Sequence, residues 1–204
     1  MAFFKKNQPG FTMVETLVAI SIFILFNAVI VEIFLTALRS SGTVFDQLDA
    51  QRQGRKALQD FVTEMRSANY SSIGAFPIEK ASSTEVIFYS NINDNGYIER
   101  IRYSVFGNRL IKGITEPTST PLSYNTAYEA TSTAVDILNN GTSSVFYYYD
   151  GNFNGTSTPP LTYPVDLTKI RVVSMNLLID KSPSTSPVVF IVQGEAELRN
   201  LKDN

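Results

Sequence analysis

From Phe11 to Leu38 the chain is almost wholly apolar: FTMVETLVAISIFILFNAVIVEIFLTAL. As one helix this run spans about 40 Å at roughly 1.5 Å per residue, enough to cross a bilayer. One residue inside it does not fit an ordinary anchor. Glu15 sits near the start of the run. A carboxylate in hydrocarbon costs roughly 2.5–3.5 kcal/mol on insertion scales, so it needs a partner or a polar cavity. Glu32 is placed near the far interface, where its side chain can reach water.

The flanks set a direction. Lys5 and Lys6 precede the run, and Arg39 is the one basic residue close behind it. The positive-inside bias then keeps the N-terminus cytoplasmic and exports the chain beyond Leu38. An ordinary signal peptide is cut behind its apolar run, after small residues in an A-x-A pattern. No such site occurs near Leu35 to Thr43. The small-residue boundary is Pro9-Gly10, before the run. Residues 1–10 therefore read as a leader, and the apolar helix is expected to stay in the mature protein.

No Lys, Arg or His inside the span can neutralise Glu15. Cutting after Gly10 creates a candidate, the α-amine of Phe11. Within one extended helix the two groups stand about four residue rises apart. Between neighbouring chains shifted along the axis, the amine of one can meet the carboxylate of the next.

Lys5-Lys6, then Gly10-Phe11-Thr12-Met13-Val14-Glu15, then Thr16-Leu17-Val18-Ala19-Ile20 resembles the N-terminus of type IV prepilins and type II secretion pseudopilins. The likeness covers about residues 5–38. It implies cleavage after Gly10 by a prepilin peptidase, N-methylation of Phe11, and packing of the helices into the core of a filament, with Glu15 in assembly. It also implies an inner-membrane, single-pass precursor that becomes part of an extracytoplasmic filament with other pilin or pseudopilin subunits. Further along, Val86-Ile87-Phe88-Tyr89 and Ile98-Glu99-Arg100-Ile101-Arg102-Tyr103 look similar to J-type minor pseudopilins and related minor pilins. So do Leu167–Val173 and Leu198-Arg199-Asn200-Leu201. The chain departs from many major pilins in lacking a C-terminal Cys pair. Its length and irregular loops point to a minor subunit.

Beyond the span, Phe45, Leu48, Leu58, Phe61, Val62 and Met65 recur at helical spacing, with charged and amide side chains between them. Residues 39–70 therefore read as an amphipathic helix continuing the first. Gly54 and Ser40-Ser41-Gly42 are weak points where it is expected to bend or loosen. Residues 71–204 read as a β-rich globular domain. Strands are expected at Glu85–Ser90, Tyr97–Val105, Arg109–Ile114, Val145–Tyr149, Ile170–Ile179 and Val188–Leu198, with turns at Asn93–Gly96 and Gly107-Asn108. Residues 115–143 read as loop, with a helical turn at Ala134–Leu138. The expected fold class is α+β: a long N-terminal helix packed on a C-terminal antiparallel sheet, pilin-like by the resemblance.

Composition narrows the chemistry. The 204 residues contain no Cys and no His, and the net charge is -2. Disulfides, thiol nucleophiles, thiolate metal sites and the commonest general base are all absent. No basic excess invites nucleic acid. The expectation is a structural subunit, not an enzyme, with no cofactor and no metal. Asn91–Gly96 resembles the start of a calcium loop, but Arg102 stands where an EF-hand needs a bidentate Glu. A hairpin turn is the plainer reading there, and Asp150–Gly155 is treated the same way. Tyr147-Tyr148-Tyr149 reads as half core and half surface. The rival to a filament subunit is a single-pass anchored adhesin or sensor using the β region to bind a ligand.

Overall fold

The computed structural model describes residues 10–93, 95–155, 157–180 and 189–201. The leader up to Pro9, with Lys5 and Lys6, lies outside the described residues, as do Asp94, Thr156 and Val188. The chain divides into two compact units, Met1–Phe45 and Asp46–Asn204. Helix α1 runs from Met13 to Arg66 without a break.

In the first unit, every side chain from Phe11 to Leu38 is exposed. The stretch Met13–Leu38 is long and apolar enough to cross a membrane. Three of its polar side chains bond to their own helix. Thr16 Oγ1 donates to the Met13 carbonyl at 2.9 Å, Ser21 Oγ to Leu17 at 2.9 Å and Asn27 Nδ2 to Phe23 at 2.7 Å. The Asn27 amide thus serves the preceding turn and does not loosen the helix.

The second unit is α+β. Its strands are β1 (Ile78–Ala81), β2 (Glu85–Ser90), β3 (Glu99–Phe106), β4 (Arg109–Thr115), β5 (Pro117–Ser119), β6 (Leu122–Tyr124), β7 (Ala130–Val135), β8 (Phe146–Tyr149), β9 (Val172–Ile179) and β10 (Phe190–Glu197). They form an antiparallel five-stranded sheet in the order β1-β2-β3-β4-β7 and an antiparallel three-stranded sheet in the order β10-β9-β8. A small hairpin of β5 and β6 completes the set. Gly107 at φ 61° makes the tight turn between β3 and β4, a conformation glycine adopts without steric cost.

The C-terminal half of α1 joins the two sheets through one core. Phe61 is fully buried, with its ring centroid 6.3 Å from Phe88 on β2, 5.4 Å from Tyr103 on β3 and 5.8 Å from Phe146 on β8. These are edge and tilted geometries that aromatic quadrupoles favour. Ala50, Ala57 and Met65 lie in the same cluster. Strand β10 alternates as its sequence requires: Val192, Ala196 and the following Leu198 are buried, while Gln193, Glu195 and Glu197 are exposed.

Several expectations change. The helix stops at Arg66 and not near residue 70. Ser67 Oγ turns back to the Thr63 and Glu64 carbonyls, at 3.1 and 3.0 Å, and Ala68 bridges to Ser90. Gly54 does not loosen the helix. It is a point of close approach, since a Cβ there would lie 2.4 Å from Ile179 Cδ1 and 2.9 Å from Val192 Cγ2. Gly194 does the same from the sheet, leaving room for Leu58. The helical turn at Ala134–Leu138 is not formed: Ala134 and Val135 end β7, and Leu138 bridges to Ile179. Residues 115–143 hold β5, β6 and β7 where a loop was expected.

Candidate functional site

The segment Gly10–Glu15 is built by the start of α1. Thr12 precedes the first helical residue, Met13, and accepts the first helical bond from Thr16 N at 3.2 Å through its carbonyl. Its hydroxyl accepts from Glu15 N at 3.3 Å. Glu15 Oε2 in turn accepts from Thr12 N and from Thr12 Oγ1, both at 2.9 Å. This is a reciprocal capping box, with Thr12 as N-cap and Glu15 three residues on. The carboxylate also lies where the helix dipole favours negative charge. Sequence reasoning sought a cation for Glu15 and overlooked these neutral partners, although the T-x-x-E spacing was visible.

Phe11 lies just outside the box and is 85% exposed. Gly10 has nothing within 4 Å of where a Cβ would stand, and its backbone is not left-handed. Neither crowding nor backbone strain asks for glycine at that position. The structure therefore brings Thr12 and Glu15 together, with Gly10 and Phe11 in open space beside them. Glu32 is exposed on the same helix.

The other candidates have hydrogen-bond partners within the chain. Glu99, fully buried at the start of β3, accepts from Ile92 N at 3.0 Å and from Asn93 Nδ2 at 3.3 Å, which ties down the chain at Ile92 and Asn93. Asp150 accepts from Asn152 N at 3.0 Å and from Asn152 Nδ2 at 3.3 Å. Among the described residues no group of three or more acidic side chains is placed to hold a metal ion. Tyr148 is buried and donates to the Ser82 carbonyl at 2.9 Å, while Tyr147 and Tyr149 are half-exposed.

Two charge clusters in the second unit were not foreseen. On one face of the five-stranded sheet, Arg100 pairs bidentately with Glu79 at 2.7 Å for each bond, and Arg102 with Glu129 at 2.8 and 2.5 Å. Burial opposes the charge of Glu79, but Arg100 and the Tyr89 hydroxyl hold it below the usual carboxylate range. The Arg102 guanidinium does the same for Glu129. On the other face, Glu64 of α1 accepts from Tyr103 Oη at 2.9 Å and pairs with Lys112 Nζ. Burial nevertheless pushes Glu64 up, above its ordinary value.

No protein-family model matches the chain, and no curated protein matches it at significant similarity.

Proposed function

We propose that the chain is a prepilin-like structural subunit, cut after Gly10 and built into a filament through its N-terminal helix. The carrying observation is the conjunction at Gly10–Glu15. An uncrowded, unstrained glycine precedes a capped helix start, and that helix continues as a fully exposed apolar span. A plain anchor has no use for a carboxylate at Glu15 or for a glycine at position 10. A protease that must admit the scissile bond does have a use for an uncrowded glycine. A filament core gives the exposed apolar face somewhere to go.

On this reading the peptidase severs the Gly10–Phe11 peptide bond and leaves the Phe11 amine. N-methylation keeps its charge. In the lone subunit Glu15 is held by Thr12, so the membrane does not face a bare carboxylate. In the filament the Phe11 amine of a neighbour approaches Glu15, and a charged pair in a low dielectric is far stronger than one in water. The axial offset decides whether that pair forms, so Glu15 selects register. The precursor is a single-pass protein of the inner membrane with its C-terminal unit exported. It acts as a minor subunit of a type IV pilus or secretion pseudopilus and carries no catalytic role. Its partners are the prepilin peptidase and other pilin or pseudopilin subunits.

The test is Gly10→Val in the producing cell, followed by mass spectrometry of the N-terminus. The parent is expected to begin at methylated Phe11, and the variant to persist as a full-length membrane precursor. Filaments whose subunits still begin at Met1 or Ala2 would overturn the reading and favour an anchored adhesin or sensor.

A further inference from the structure

Two arginines from distant parts of the chain meet at one pocket of the second unit. The end of α1 supplies Thr63, Arg66 and Ser67, and the short turn after β10 supplies Arg199 and Asn200. Thr63, Arg66 and Ser67 are spaced i, i+3 and i+4, so they share one face. The pocket holds about 440 Å³, and no acidic side chain lines it. Both arginines are exposed, and neither forms an ion pair among the described residues. Arg66 also borders a second pocket with Glu195 and Glu197 and pairs with neither.

Both arginines stand on fixed backbone. Leu198, just before Arg199, is buried, and its N–H donates to the Arg171 carbonyl at 2.9 Å. Asn200, just after it, donates from Nδ2 to the Ala68 carbonyl at 2.8 Å. Beside Arg66, Ser67 Oγ bonds to the Thr63 and Glu64 carbonyls and meets Ser90 Oγ at 2.7 Å. The helix dipole explains one cation here, because Arg66 lies in the last turn, where positive charge is favoured. It does not explain Arg199, which brings a like charge to the same pocket and is repelled by the first. The Thr63 hydroxyl on this face has no partner among the described residues.

We infer that this pocket binds a phosphate monoester, with Arg66 and Arg199 donating to the phosphoryl oxygens and the Thr63 hydroxyl donating to another of them. Guanidinium forks match phosphate geometry and form strong charge-assisted hydrogen bonds. Charge selects the ligand class. A phosphate monoester carries about −1.5 to −2 near neutral pH, which matches two guanidiniums, whereas a carboxylate leaves one of them unmatched. Volume selects an ester over the free ion, since ligand pockets run from about 300 to 1,000 Å³ and this one leaves room for the group that bears the phosphate. The anchored backbone on both sides lowers the ordering cost of binding. The site lies outside the apolar span and does not depend on the filament reading.

The test titrates the full-length chain, in a non-ionic detergent and phosphate-free buffer at about pH 7.5, into sn-glycerol 3-phosphate, and reads the phosphorus NMR signal of the ligand. A saturable shift is expected. Arg66→Gln and Arg199→Gln should each weaken binding about tenfold, and the double variant should abolish it. Arg66→Lys should recover only part of the loss, because it restores the charge without the fork. Arg52→Gln, an exposed arginine on the same helix outside the pocket, should bind like the parent. All these side chains are exposed, so thermal melting without ligand should be nearly unchanged. Acetate, followed by its own proton signal, should bind much more weakly. A short-chain phosphatidic acid that binds more than tenfold tighter than glycerol 3-phosphate supports the inference with a lipid as the source, and comparable binding supports it with a soluble ester. No saturable shift with either phosphate, an equal loss in Arg52→Gln, full binding in the double variant, or acetate binding as tightly as the ester would overturn it.

Discussion

Gly54 of α1 and Ile179 of β9 approach so closely that any side chain at Gly54 collides with Ile179, a Cβ lying 2.4 Å from its Cδ1. Ile179 is fully buried and Val192 Cγ2 lies 2.9 Å from the same Cβ position, so both buried side chains must shift to admit one. Two effects compete in Gly54→Ala. Helix propensity favours alanine by about 1 kcal/mol, and overpacking a core costs about 1–3 kcal/mol. The collision is expected to win, with a net loss of up to about 2 kcal/mol in denaturant melts of the full chain. Adding Ile179→Val removes the colliding methyl and should recover part of the loss. A Gly54→Ala variant more stable than the parent would show that the helix shifts outward freely.

The buried pair of Glu64 and Lys112 gives a pH prediction. Glu64 faces Lys112, Tyr103 and, at longer range, Asp60, and burial raises its pKa above 4.5. A raised carboxylate pKa favours the folded state below the unfolded value, and that contribution is lost as pH rises through the folded value. Lys112→Met removes the cation that limits the rise. It should cost about 2–3 kcal/mol at neutral pH, less than a fully buried pair because both side chains keep some exposure. The cost should shrink as pH falls toward 4.5. Glu64→Gln with Lys112→Met should cost less than Lys112→Met alone. Melting at a series of pH values checks all three statements, and a pH-independent cost would remove Glu64 as the cause.

The sheet's other face predicts the opposite sign. The pKa values of Glu79 and Glu129 are both depressed, so their contribution is present above the ordinary carboxylate value and lost as pH falls through the folded one. Gly113 belongs to this cluster, since a Cβ on it would lie 2.3 Å from Glu129 Oε1. Gly113→Ala should displace Glu129 from Arg102. It should lower stability at neutral pH and flatten the acid limb of the pH profile. An acid limb unchanged in Gly113→Ala would mean that Glu129 finds Arg102 by another route.

Elements are legible in the sequence where their side chains are buried on one face or in apolar runs. Strand β2 is read residue for residue, and β4, β8 and β10 to within one or two, because alternation or apolar runs mark them. Strand β7, Ala130–Val135, is exposed along most of its length, so its Thr and Ser residues carry no alternation to read. Arg100 and Arg102 look like a wet face in the sequence. They are covered because Glu79 and Glu129 come from distant segments, which no local pattern announces. Gly54 reads as a helix breaker because propensity is local, whereas its reason is a contact with β9 and β10. In the candidate site, Gly10, Phe11 and Glu15 are proposed from the sequence, and the structure adds Thr12 beside Glu15. Thr12 was missed because the search for a partner to Glu15 considered only charges.

The Thr12–Glu15 box separates two roles that one substitution would confuse. Glu15→Ala removes both the helix cap and the negative charge. Loss of a cap alone costs about 0.5–2 kcal/mol of helix stability. Glu15→Gln keeps an acceptor for Thr12 N and Thr12 Oγ1, because glutamine serves a capping box as glutamate does, and removes only the charge. Thr12→Val does the reverse, since it deletes the hydroxyl and leaves the carboxylate. If the charge meets a neighbour's Phe11 amine, Glu15→Gln should fail in filament incorporation almost as badly as Glu15→Ala, while Thr12→Val fails less. Membrane insertion should survive in all three, since none adds a charge to the span, and cleavage after Gly10 should survive with it. Glu32→Gln, farther along the helix, should be nearly silent. Insertion, cleavage and incorporation are followed separately, by fractionation, by the mass of the N-terminus and by filament shearing. If Glu15→Gln incorporates like the parent while Thr12→Val does not, Glu15 acts as a cap and not as a register charge, and the proposed role of the Phe11 amine falls with it.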